Sequence, residues 1–212
     1  TASARFQREA KLLARLNHPH IVPILDSSGD SVPLWFAMPW IAGESLAAHL
    51  ASGPLPHEAV RTIGIELLDA LAHAHQLGVV HRDIKPANIF LNAGHALLAD
   101  FGVAQLHDSV DGPLTDEGNA IGTVAYMSPE HRGGAPADPR SDVWALGATL
   151  YEALTGTRWI DRGADSGLDA VPAALRAALT RALATAPAER WPTAGSFRKA
   201  LLPTRRSSLS TV

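Results

Sequence analysis

Apolar residues recur at helical spacing in residues 4–16, where Phe6, Ala10, Leu13 and Leu16 share one face. Residues 21–25 and 34–38 read instead as short strands, parted by the turn-rich run Asp26-Ser27-Ser28-Gly29-Asp30. Pro56 opens the longest periodic stretch, with Val60, Ile63, Leu67, Leu71 and Ala74 on one face, and Gly78 ends it. Residues 79–80, 89–91 and 96–99 read as further short strands. Residues 103–127 are polar and glycine-containing, the composition of a mobile segment. Residues 141–155 carry apolar groups on most faces and stop at Gly156, which predicts a buried helix. Two last helices are expected at 172–184 and 193–201, the second starting after Pro192-Thr193. The run from Thr204 to Val212 is Ser/Thr-rich and basic, as a frayed tail or linker would be.

This pattern spans 212 residues, 46% apolar, enough for one domain with a sizeable core. The net charge of −3 gives no cue for nucleic acid or an anionic membrane. There are no cysteines, which excludes disulfides and thiolate metal sites. Ten histidines are scattered along the chain. His73 and His75 are predicted on different sides of their helix and do not read as a metal pair. No apolar run approaches the roughly 18 residues of a membrane span. The N-terminus lacks a signal-peptide pattern. The expected location is therefore cytoplasmic, with an anchor beyond residue 212 left open for a longer protein.

The chemistry is concentrated in two runs. His81-Arg82-Asp83-Ile84-Lys85-Pro86-Ala87-Asn88 comes first, and Asp100-Phe101-Gly102 follows after a short apolar stretch. Together they resemble the catalytic loop and magnesium loop of bacterial eukaryotic-type (Hanks-type) protein kinases. Either run alone means little; their order and spacing make the match specific. The resemblance implies that Asp83 accepts the proton of a substrate hydroxyl and that Lys85 reaches the transferred phosphate. It implies that Asn88 and Asp100 hold magnesium, or manganese in its place, through the hard oxygen ligands such ions prefer. The resemblance gives His81, Phe101 and Gly102 structural roles around these groups. Lys85 and Pro86 look like a serine/threonine kinase, since tyrosine kinases usually carry Ala and Arg there.

Further runs extend the resemblance over about residues 3–202. Gly122-Thr123 and Tyr126-Met127-Ser128-Pro129-Glu130 resemble the substrate-facing loop and the Ala-Pro-Glu motif, with Ser128 in place of Ala. Ser141 to Gly147 resembles the start of the central helix of the large lobe, whose Asp, here Asp142, ties back to the catalytic-loop backbone. Arg190 matches the arginine that pairs with the motif glutamate, here Glu130. Upstream, Arg5-Phe6-Gln7-Arg8-Glu9-Ala10 and Leu16-Asn17-His18-Pro19-His20-Ile21-Val22 resemble the regulatory helix and the turn after it, which makes Glu9 the candidate partner of an ATP-positioning lysine; its competing reading is a solvated helix glutamate. Met38-Pro39-Trp40-Ile41 resembles the gatekeeper and hinge. Met38, the Pro39 carbonyl and the Ile41 backbone would line the adenine site, with Phe90 as its floor or simply as core. Arg82 would receive a phosphate from the activation segment. Thr115 is the favoured residue there, although it also reads as a plain turn residue. Thr123 would instead bond Asp83 and Lys85.

Two parts of the family pattern are missing from this sequence. The glycine-rich loop and the lysine of the third strand, which lie before the regulatory-helix Glu, have no room ahead of Glu9. Residues 157–172 are shorter than the usual docking segment. The expected fold is therefore α+β and protein-kinase-like, mostly a helical large lobe. Residues 1–38 would form a partial small lobe with a regulatory helix and two strands. Residues 39–42 would form the hinge, 43–202 the large lobe, and 203–212 a flexible tail. The implied activity is transfer of the γ-phosphate of ATP to Ser or Thr of protein substrates, with little activity expected without the loop and lysine. The alternatives are a non-catalytic, pseudokinase-like scaffold and, more remotely, a small-molecule kinase. The expected partners are ATP and protein substrates, with no nucleic acid and no membrane segment in this chain. Homodimerisation remains open as a route to autophosphorylation.

Overall fold

The computed structural model describes residues 10–28, 35–101, 124–162 and 167–203. Its core is a set of helices with a small sheet against one side. Residues 10–13 are helical, and Leu13 and Leu16 are buried, as the spacing predicts. The strands β1 (Asp26–Ser27) and β2 (Phe36–Ala37) form an antiparallel pair. A second antiparallel sheet has the order β3 (Glu44–Ser45), β4 (Ile89–Asn92), β5 (His95–Leu98). Its register sets Phe90 opposite both Ser45 and Leu97.

The helices follow from caps and apolar spacing. The short α1 (Leu46–Leu50) starts at Ser45, whose hydroxyl accepts from the Ala48 N–H. In α2 (His57–Gln76) the predicted face of Val60, Ile63, Leu67, Leu71 and Ala74 is buried. The four-residue α3 (Pro129–Arg132) carries Glu130. The central α4 (Pro139–Thr155) begins with a reciprocal capping box between Asp138 and Ser141 and ends at left-handed Gly156, φ 71°. Nearly all of its side chains are buried, as an all-round apolar helix requires. Two more helices, α5 (Ala173–Ala182) and α6 (Ala194–Leu201), pack around it. Gly64 lets α2 approach α6 and α4: a Cβ there would stand 2.8 Å from Leu201 Cδ1 and 3.0 Å from Leu150 Cδ1.

Three expected strands need correction. Residues 21–25 do not form a strand, because their backbone bonds go to two different partners. Val22 N–H donates to Leu98 O at 2.9 Å, while Leu25 N–H donates to Ala37 O at 2.8 Å. The strand expected at 34–38 shortens to Phe36–Ala37 among the described residues. Residues 79–80 are not a strand either; Val79 N–H donates back to Ala74 O and so closes the end of α2. Among the described residues no helix is long and apolar enough to cross a membrane.

Candidate active site

The central helix α4 organises the site from below. Asp142, fully buried near its start, accepts from the backbone N–H groups of His81 and Arg82, both at 2.9 Å. Its Oδ2 also meets the ring N–H of His75 at 2.8 Å. Those bonds hold Arg82 in the left-handed region, at φ 74°. That conformation is strained for a side-chain-bearing residue and persists only when neighbours enforce it. Asp100, at φ 62°, is a second such residue; Ala93, in the β4–β5 turn, is the other among the described residues.

His81 links the two motif runs. Its Nε2–H donates to Ala99 O at 2.8 Å, and its Nδ1 accepts from Asp83 N–H at 3.3 Å. That tautomer is neutral, and burial holds the ring below its ordinary pKa. Its face lies 4.5 Å, centroid to centroid, from buried Phe101.

Asp83 is the focus of the loop. Its Oδ2 lies 2.8 Å from Lys85 Nζ and accepts from Asn88 Nδ2 at 3.0 Å. The same amide nitrogen donates to Asp83 O at 2.8 Å. Committing the Asn88 NH2 group to Asp83 leaves its amide oxygen as the atom that can serve a cation. Pro86 starts the 3-10 turn Pro86–Asn88, which returns the chain to β4. Ala99 N–H donates to Asn88 O at 2.9 Å, so the residues flanking Asp100 are bonded to those of the first run. Asp100 itself lines a small cavity of about 20 Å³ together with Met38, Phe36, Phe101 and Ile21. The structure thus brings Met38 and Asp100 to one space. Phe90 is half-buried on β4, Pro39 and Ile41 are partly exposed, and Trp40 between them is 93% exposed.

Glu130 and Arg190 form a two-pronged pair, with N···O distances of 2.7 and 2.6 Å. Arg190 is 1% exposed and also donates to the carbonyls of Ala184, Arg140 and Thr185. All five guanidinium N–H groups are therefore satisfied. Burial pushes the Glu130 carboxyl up, but the bonds from Arg190 outweigh it and hold the pKa at about 2. A depressed carboxyl stabilises the fold above its unfolded value of 4.5, and that stability is lost as pH falls toward 2. The melting temperature should therefore drop across this window, and the drop should be shallower in Arg190→Met. Parallel profiles in differential scanning calorimetry would contradict this.

Glu9, Gly102, Thr115 and Thr123 lie outside the described residues. Two polar contacts escaped the sequence reading. His75 on Asp142 is one. The other is Tyr126, whose hydroxyl donates to Glu152 Oε2 at 2.5 Å. Burial and that carboxylate push the Tyr126 pKa up, and burial also raises Glu152. Neither pair is close in sequence, so no local spacing signals it.

The family profile described as "Protein kinase domain" matches residues 1–202. The chain belongs to the protein kinase family. Among curated kinases it is similar to serine/threonine-protein kinase Pkn3 of Myxococcus xanthus, 43% identical over 162 residues. That match covers 72% of this chain and 30% of the relative. PrkC of Bacillus subtilis is 39% identical over 154 residues, covering 72% of this chain and 24% of the relative. The chain thus spans less than a third of the length of either. Among solved structures, the kinase domain of Mycobacterium tuberculosis PknI superposes with a TM-score of 0.74 at 35% identity. That match covers 94% of this chain and 77% of the other. These likenesses place the chain among the bacterial Hanks-type members of the family, with the expected protein-kinase fold.

Proposed function

We propose that the chain carries the catalytic centre of an ATP- and magnesium-dependent serine/threonine protein kinase. The observation that supports this most is the grouping of Asp83, Lys85 and Asn88 in one hydrogen-bonded loop beside left-handed Asp100. Asp83 is held by two donors on one oxygen, which orients its carboxylate toward an incoming hydroxyl and lets it take the proton. Lys85 is close enough to share charge with that carboxylate and to meet a transferred phosphoryl group. The Asn88 amide oxygen and the Asp100 carboxylate fit magnesium, being hard oxygen ligands of one neutral and one anionic kind. Bound there, the ion would neutralise phosphate charge. Met38, Pro39, Ile41 and Phe90 would bound the adenine. Arg82 would receive the phosphate of Thr115, and the Thr123 hydroxyl would bond Asp83 and Lys85. The names of the relatives and the Lys85-Pro86 pair support Ser and Thr as acceptors.

The test uses the chain fused behind the first three strands of a relative, so that a glycine-rich loop and a lysine are present. Asp83→Asn should lower turnover by about 10²–10⁴-fold, the range for a positioned acid–base group. ATP affinity by calorimetry should stay unchanged. Turnover equal to the unsubstituted fusion would remove Asp83 from this role.

A further inference from the structure

Four imidazoles form a string where the turn at 17–20 meets α2 and β5. Ring centroids are 5.4 Å apart for His73 and His18, 5.7 Å for His18 and His20, and 6.0 Å for His20 and His95. The catalytic-loop and magnesium-loop runs use none of them; His18 and His20 belong to the run that resembles the turn after the regulatory helix. His18 is the hub. Its Nδ1 accepts from the His20 N–H at 3.2 Å, which closes the turn. Its Nε2 lies 3.5 Å from Asp69 Oδ2 of α2. With Nδ1 an acceptor, the ring is neutral and its proton sits on Nε2.

The turn then hands the chain to β5. Leu98 N–H donates to His20 O and Val22 N–H donates to Leu98 O, both at 2.9 Å, and Ile21 bridges Leu98 in parallel. His20 adds a ring bond, Nδ1–H to Ala96 O at 2.9 Å. A proton on His18 Nδ1 would set N–H against N–H and break the bond that closes the turn.

The geometry points to a proton-sensitive joint: protonation of His18 at Nδ1 opens the turn at 17–20 and loosens residues 20–22 from β5. The surrounding charges are set against a second proton being absorbed harmlessly. Asp69, the carboxylate nearest His18, is shared with Arg198 of α6, whose Nε lies 3.4 Å from its other oxygen. Glu66 of α2 is engaged by the Ala96 N–H at 2.8 Å and by His95 at 2.7 Å, and lies 3.9 Å from His20. His73, whose buried Nε2 has no hydrogen-bond partner, and His20 face His18 as like groups. Burial, together with those two rings and against Asp69, holds the His18 pKa below its ordinary 6.5. The joint is therefore closed above that value and loses stability as pH falls through it toward the folded-state value. Leu98 precedes Asp100 by two residues, and Ile21, Val22 and Asp100 line one cavity, so the loosening acts on the site proposed above. The joint itself does not depend on that proposal.

Amide hydrogen exchange on the 212-residue chain tests it without any activity readout. Corrected for intrinsic rates, Val22 and Leu98 should be about tenfold less protected near pH 5.5 than near pH 7.5, while amides of α4 stay unchanged. His18→Asn keeps an acceptor close to Nδ1 but cannot take a proton, so its protection should be the same at both values. Equal protection of the unsubstituted chain at the two pH values overturns the joint. So does a retained pH dependence in His18→Asn. If that variant does not fold, imidazole nitrogen shifts of the unsubstituted chain decide: His18 titrating at or above about 6.5, its ordinary value, also overturns it.

Discussion

Asp100→Asn, in the fusion that supplies the glycine-rich loop and lysine, should lower phosphoryl transfer at least about a thousandfold. Loss of one anionic metal ligand removes on the order of 4 kcal/mol of transition-state stabilisation, and each 1.36 kcal/mol is tenfold. The fold should be undisturbed, because Asn is isosteric and the carboxylate is not among the groups that pin the loop. Those are Asp142, His81 and Asn88. The loss should be smaller at high magnesium if the ligand role is right, because weakened binding is partly overcome by mass action. Circular dichroism and a magnesium titration of initial rates check both halves. Full turnover in Asp100→Asn would exclude the carboxylate from metal binding.

Arg190→Met should be the most damaging substitution for stability, at about 3 kcal/mol. It leaves the Glu130 carboxylate without its partner and strands the carbonyls of Ala184, Arg140 and Thr185. Glu130 retains some solvent access, with its side chain 20% exposed, which keeps the value at the low end of the range for broken buried pairs. The double variant Arg190→Met, Glu130→Gln should recover part of the loss, because no uncompensated charge remains. Urea denaturation of both single variants and the double variant closes the cycle. Single-variant losses below about 1 kcal/mol would mean that the pair contributes no more than an exposed one.

Much of this architecture is written in local pattern. The apolar face of α2, the all-round apolar α4 with its Gly156 stop and the Pro192-Thr193 start of α6 place their helices to within a few residues. The loop from Asp83 to Asn88 is legible through its resemblance to the kinase catalytic loop, and its bonding partners lie within five residues of one another. Residues 21–25 do not form the expected strand because a short apolar, β-branched run favours an extended backbone without fixing where its hydrogen bonds go. Ile21 and Val22 join Leu98, whereas Leu25 joins Ala37. Val79 looked like a strand residue but caps α2. The ties of Asp142 to His81 and of Glu130 to Arg190 cross about 60 residues and were accessible only through the family resemblance. His18 is legible only as part of the turn that resembles the one after the regulatory helix, and nothing in the pattern joins it to His73. Their meeting is produced by the turn docking on α2, which no local spacing reports.

The measurement that bears most directly on the whole account is transfer of labelled γ-phosphate from ATP by the restored fusion, followed by phosphoamino-acid analysis of the product. The account predicts magnesium-dependent label on serine or threonine that disappears in Asp100→Asn. A folded fusion that binds ATP yet transfers no phosphate, with or without magnesium, would contradict it and assign the chain to the non-catalytic, scaffolding members of the family.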